Sequence, residues 1–268
     1  MSATRGIALA AALVVGVAAV AAQSGTVYQQ YAPVDLTGTW VSLVTEDWQF
    51  RMITPAKGNI ENLPINAEAE KVANAWDPAR DEAAGNACQA YGAPTIMREP
   101  GRVRIAWASG GNALRVEMDS GQQTRLFHFA GATTPAARPA GWQGFSQASW
   151  EYVGGFDPLT VGAEPPGGRR GRGARAGGPA RAPGGALKVV TTHLRAGYLR
   201  KNGVPFSEDA GVTEYFNVHT DDVDKSTWMV VTTIVNDPKY LRTEYITSSN
   251  FRKEPDDSKW QPRPCTAR

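Results

Sequence analysis

An all-β fold, built as an antiparallel barrel, is the class this sequence predicts, and two stretches carry the prediction. From Leu187 to Glu254 the chain reads as strands in series, LKVVTTHLR, GVTEYFNV, STWMVVTTIV and EYITSSNFRKE. Turn-rich segments, RKNGVPFSED, HTDDVDK and NDPKY, separate them. β-Branched and aromatic residues crowd each run, while Gly, Pro, Asn and Asp punctuate the joins. The second stretch, RVRIAW, ALRVEM and QQTRLFHF over 102–129, reads as a three-stranded meander with short turns between. Sheets of this extent have edges to hide, and closure into a barrel hides them.

The meander also predicts which side chains face inward. Val103, Ile105 and Trp107 alternate with Arg102 and Arg104, and Leu114, Val116 and Met118 alternate with Arg115 and Glu117. One face is therefore core and the other solvent. In the third strand Arg125 is expected outward with the other arginines, which turns Thr124, Leu126 and His128 inward. Gly141 to Gly155, rich in aromatics and glycine, reads as a lid or a further strand.

The chain opens with a secretory pattern. Arg5 supplies a positive start, Ile7 to Ala21 is small and apolar throughout, and Val20-Ala21-Ala22 offers a cleavage site before Gln23. The expected organisation is a signal peptide over 1–22, a flexible lead-in over 23–34 and one β-barrel domain over 35–268. A periplasmic or secreted location follows. In an oxidising compartment Cys88 and Cys265 are expected to bridge, tying the C-terminal tail to the N-terminal third.

Charge narrows the partners. The formal net charge is +2, but Arg5 belongs to the signal, and Pro165 to Ala186 holds five arginines and no acid. Without those six positive charges the rest stands at −4, which excludes a basic nucleic-acid face on the domain. The Gly/Arg/Ala/Pro tract itself, about 163–186, is expected to be a disordered surface loop. Its natural partner is the anionic envelope surface, by electrostatic contact.

The best helix runs from Asn66 to Trp76, with Asn66 as cap, Glu68 in the first turn, and Asp77-Pro78 ending it. Ahead of it lies Asp35-Leu36-Thr37-Gly38-Thr39-Trp40, where Gly38 allows a close backbone approach and Trp40 plugs a barrel end. This stretch resembles the opening strand of lipocalins and related calycin barrels. The resemblance implies a barrel with an arginine from the last strand packed on Trp40, and Arg252 stands at a matching place. More widely, WDPARDEAAGNACQAYG, LRKNGVPFSED, VVTTIVNDPKYL and SNFRKEPDDSKWQPRPC resemble a group of exported bacterial proteins. That resemblance implies a secreted module and lends it no catalytic residues.

Chemistry has few carriers. Alternation turns Val189, Thr191 and His193 inward in LKVVTTHLR, and puts Glu214 beside Val212, Phe216 and Val218 in GVTEYFNV. A buried carboxylate near two imidazoles suits acid–base work or ligand anchoring, so His128, His193 and Glu214, with Thr124 and Thr191, form the candidate ligand-binding set. The same residues also fit as core polar groups that hydrogen-bond one another. No Gly-rich phosphate loop, HExxH or CxxC occurs, and neither a cofactor nor a metal is expected. The function expected is an exported binding module for a small, partly apolar molecule. An envelope isomerase or hydrolase using the His/Glu cluster is the alternative, and a structural barrel with a filled core is the third.

Overall fold

The computed structural model describes residues 28–130, 140–155 and 184–268. The expected signal segment and most of the Arg/Gly tract lie outside the described residues. Eleven strands follow one another: β1 (Gly38–Leu43), β2 (Arg102–Trp107), β3 (Ala113–Met118), β4 (Gln123–His128), β5 (Phe145–Tyr152), β6 (Gly185–Thr192), β7 (Gly197–Arg200), β8 (Val204–Phe206), β9 (Gly211–Thr220), β10 (Thr227–Asn236) and β11 (Tyr245–Lys253). Nine of them close a barrel in the order β1-β11-β10-β9-β6-β5-β4-β3-β2, while β7 and β8 form a separate hairpin.

The barrel is mixed rather than wholly antiparallel. A closed ring in which every neighbour runs antiparallel needs an even number of strands, so nine strands force a parallel pair. That pair is β4–β5, with Phe127 opposite Ser146 and His128 opposite Gln147. β4 ends at His128 and β5 begins at Phe145. Gly144 makes the re-entry, with φ at 57° and so little room that a Cβ would meet the Thr192 carbonyl oxygen at 2.4 Å. The two meanders stand as read, since β2-β3-β4 and β6-β9-β10-β11 are each adjacent and antiparallel. Within the segment from Gly141 to Gly155, Phe145–Tyr152 is the further strand, β5.

Side chains fill the interior. Trp40, Val116, Phe127, Leu187, Val189, Phe216, Met229 and Val231 are wholly buried there. Gly38 adopts φ 106° and lies against Lys253, whose Cε would be 3.1 Å from an added Cβ. The cation over Trp40 is accordingly Lys253, its Nζ 5.3 Å from the ring centroid. Arg252, expected in that place, is exposed. The register is off by one residue, and in a strand one residue reverses the face.

The two barrel ends are closed differently. Where β2 ends and β3 begins, Tyr28, Trp107, Phe129 and Trp150 stack, with Tyr28 and Phe129 centroids 5.1 Å apart and Trp107 and Phe129 5.5 Å apart. Residues 28–34, expected to be flexible, are part of this plug, and Tyr152 Oη donates to the Tyr31 carbonyl. The other end carries a cap of three helices, α1 (Trp48–Arg51), α2 (Ala67–Ala75) and α3 (Pro78–Ala83), with the β7–β8 hairpin. One short helix was the expectation. Asn66 caps α2 by accepting from the Glu68 and Ala69 N–H groups, and Asp77-Pro78 ends α2 only to start α3.

A second apolar core, including Ile65, Ala69, Ala73, Leu199, Phe206, Val212, Val235 and Tyr245, joins the cap to the barrel. Asp237 fixes the hairpin by accepting from Ser207 N and Oγ, both at 2.7 Å. Cys88 and Cys265 form the expected disulfide, across 177 residues of chain. It holds the C-terminal tail against the cap and fits an oxidising compartment.

Candidate functional site

The expected His/Glu cluster does not assemble. Only Glu214 and Thr191 point inward; both are fully buried. β4 has the opposite parity from that expected, because Arg125 is 2% exposed and shares its face with Phe127, while Thr124 and Leu126 are exposed. His128 thereby lies on the outer face of the barrel, stacked on Phe145 at 5.2 Å. β6 stops at Thr192, and His193 takes a left-handed conformation, φ 57°, that ends the alternation and leaves it exposed.

Arg125 is inward because Glu214 is. Its Nη1 and Nη2 lie 2.9 and 2.5 Å from the two carboxylate oxygens, a bidentate pair with both side chains at 0% exposure. Thr191 Oγ1 accepts from Arg125 at 3.0 Å and hydrogen-bonds Ser146 Oγ at 2.8 Å. Phe127 stacks beneath the guanidinium at 4.7 Å. This network spans β4, β5, β6 and β9 inside the barrel. With both charges neutralised and enclosed, it secures register and offers nothing to a ligand.

A second polar group lies at the capped end. A cavity of about 80 Å³ lies between the α1 segment, the turn through Thr95–Glu99, the end of β7 and the start of β11. Four cations line it: Arg51, Arg98, Arg200 and Lys201. The fold sets each one. Asp47, in a left-handed conformation (φ 49°) ahead of α1, accepts from Arg98 Nη2 at 2.9 Å. Arg51 Nε donates to the Arg98 carbonyl at 2.9 Å. Arg200 Nη2 donates to the Glu61 carbonyl at 3.0 Å, and its guanidinium stacks on Phe50 at 4.2 Å. Lys201 Nζ is 2.5 Å from Glu99 Oε2 and sits 4.6 Å above the Tyr91 ring.

The charges in this group do not cancel locally. Asp47 is engaged by Arg98 and Glu99 by Lys201, whereas Glu46 faces Arg51 without a hydrogen bond. Arg51 Nη1 and Nη2 are shielded from bulk solvent and have no hydrogen-bond partner among the described residues. Burial, and next the neighbouring Arg98, lowers the pKa of Arg51, and burial first of all lowers that of Arg200. Burial raises the pKa of Glu99, against the opposing pull of Lys201, Arg51 and Arg98. Burial works to lower Lys201, and Glu99 with Tyr91 more than offsets it. Shielded donors of this kind are costly to leave without an acceptor.

Beside the cavity runs a groove of about 380 Å³ that shares Arg51, Met52, Glu99 and Lys201 with it. Tyr91 and Pro100 form its floor on the cap side, and Arg263, Pro264 and Thr266 of the tail form its wall. Arg263 N–H donates to the Asp119 carbonyl at 2.8 Å, and Thr266 N–H donates to Tyr91 Oη at 3.4 Å. The Cys88–Cys265 link thus builds the groove as well as bracing the chain. No family model, curated protein or solved structure matches the chain, so the functional reading rests on this geometry.

Proposed function

We propose that the protein is an exported binding module for a small, partly apolar molecule that carries an oxyanion, a carboxylate or a phosphate. The observation that supports this reading is the pair of unpaired Arg51 nitrogens in a cavity lined by three more cations. The cavity is far below the roughly 300–1,000 Å³ of a drug-sized pocket, so it takes only the charged group. The adjoining groove, with Met52, Tyr91, Pro100 and Pro264, takes the apolar remainder. Planar guanidinium groups suit bidentate recognition of such oxyanions. The secretory start and the formed disulfide support a periplasmic or secreted location for this work.

The filled interior turns the binding reading away from the lumen and towards the capped end. An enzyme reading built on His128, His193 and Glu214 has no support from their positions, because two of the three face outward. Thermal-shift titration with inorganic phosphate, acetate, hexanoate and hexyl phosphate tests the proposal. The hexyl compounds are expected to raise the melting temperature at lower concentration than their short counterparts. No stabilisation by any of the four would refute it.

A further inference from the structure

We propose that the face formed by Trp48, Met52 and Ile53 docks the capped end of the barrel on an anionic lipid surface, with a headgroup phosphate entering the cationic cavity beneath. These three side chains are 61%, 59% and 66% exposed. Met52 N–H bonds the Trp48 carbonyl at 2.9 Å, so α1 places both residues one turn apart on one side, and Ile53 follows directly. The other large exposed apolar residues, Leu126, Val153, Val190, Val223 and Ile246, are spread over separate strands and loops. Scattered exposure needs no explanation, whereas an apolar cluster does.

Charge identifies the occupant. The same short segment that exposes Trp48, Met52 and Ile53 also lines the cavity, where Met52 and Ile53 lie beside Phe50 and Arg51 and the cations Arg98, Arg200 and Lys201. A bilayer surface answers both the exposed apolar side chains and the cations they border. Its headgroup boundary accepts tryptophan and aliphatic side chains, and its phosphates supply the acceptor that the Arg51 nitrogens lack. The phosphate half of this inference rests on the oxyanion reading above; the apolar half stands on exposure alone. The Arg/Gly tract enters and leaves the barrel between β5 and β6, where Tyr152 pairs with Gly185, close to the aromatic plug.

Co-sedimentation of the full mature chain with vesicles of phosphatidylcholine, alone or doped with phosphatidylglycerol, tests the docking. The wild type is expected to partition onto the doped vesicles. The combined Trp48→Ser, Met52→Ser, Ile53→Ser variant is expected to lose about tenfold or more of that partitioning while melting like the wild type. The arginines of the tract are present in both chains, so the difference reads the face alone. Equal partitioning of the two chains overturns the proposal, as does a wild type that ignores both vesicle types. A lipid-free dimer that the triple variant dissolves also overturns it, because the face would then belong to a second copy. Hexyl phosphate titrated into a Trp48→Ser single variant, whose side chain lines neither the cavity nor the groove, separates the two readings. Retained binding with lost partitioning supports docking, whereas binding without any wild-type partitioning sinks docking and leaves the oxyanion site standing.

Discussion

The plugged end and the capped end of this barrel use opposite chemistry to do the same job. At the plugged end Tyr28, Trp107, Phe129 and Trp150 stack on one another, and the indole N–H of Trp150 finds the Tyr28 carbonyl at 3.2 Å. At the capped end Arg51, Arg98, Arg200 and Lys201 are drawn in among Phe50, Leu199 and Tyr245. Aromatic packing yields closure and nothing else. Cations that are only partly paired yield closure at a cost in desolvation, and such a cost persists where a site has use for the charge. That difference between the ends is the ground for proposing the binding site at the cap.

The largest expected effect comes from removing the link that holds the tail to the cap. By the chain-entropy model, a loop closed over 177 residues is worth up to about 5 kcal/mol. The Cys88→Ser, Cys265→Ser double variant is expected to lose a large part of this in urea melts. It is also expected to loosen the groove wall at Pro264 and Thr266. Barrel amides should keep their hydrogen-exchange protection, while those of 263–267 lose it. Uniform loss of protection would show that the cap and barrel do not separate.

At the plug, Phe129→Ala removes a ring that is 2% exposed and touches Tyr28, Trp107 and Trp150. It is expected to cost about 3–5 kcal/mol in a denaturant titration. Binding of hexyl phosphate should survive, since no residue of the cavity lines the plug. A matching loss of affinity would erase the contrast between the ends.

Glu99→Gln is a smaller and subtler probe. Burial holds the folded carboxyl above its ordinary value, so the native state binds the proton more tightly than the unfolded chain. This penalty is absent below the unfolded pKa, about 4.3. It grows as pH rises through the raised folded value, and stability falls over that window. The Gln variant is expected to flatten this part of the pH–stability curve. A Gln variant whose curve keeps the wild-type slope through that window would contradict the burial of the charge.

Much of the barrel was legible because its strands alternate strictly. Val103, Ile105, Leu114, Val116 and Met118 all face inward as their arginine and glutamate neighbours imply. The reading failed where a charge was used as a marker of solvent. Arg125 looked like its neighbours Arg102, Arg104 and Arg115, but it shares parity with Phe127, and the lone inward acid on β9 needed a partner. Two clues in the sequence, the Phe parity and the unpaired Glu214, pointed to the pairing together and were read apart.

The capped end was hardly legible at all. Arg98 and Glu99 follow an irregular stretch, and Arg200 and Lys201 sit at the edge of a turn, where charged residues are ordinarily solvated. They converge only because the cap folds the stretch 44–101, which has no strand periodicity, onto the barrel mouth, placing Arg51 against Arg98. Nothing local in the sequence encodes that approach. The His193 error was local in principle, since a left-handed residue ends a strand, but histidine gives no sign of it.

The account stands or falls on the Arg51 nitrogens. Isothermal titration of hexyl phosphate into the wild type and into Arg51→Met tests it most directly. The wild type is expected to bind one equivalent. The variant, which keeps the apolar stem and loses the guanidinium with both Nη donors and the Nε bond to the Arg98 carbonyl, is expected to bind at least about tenfold more weakly, the loss of a charge-assisted hydrogen bond or more. Identical isotherms for the two chains, or no heat from either, would contradict an oxyanion site at the capped end.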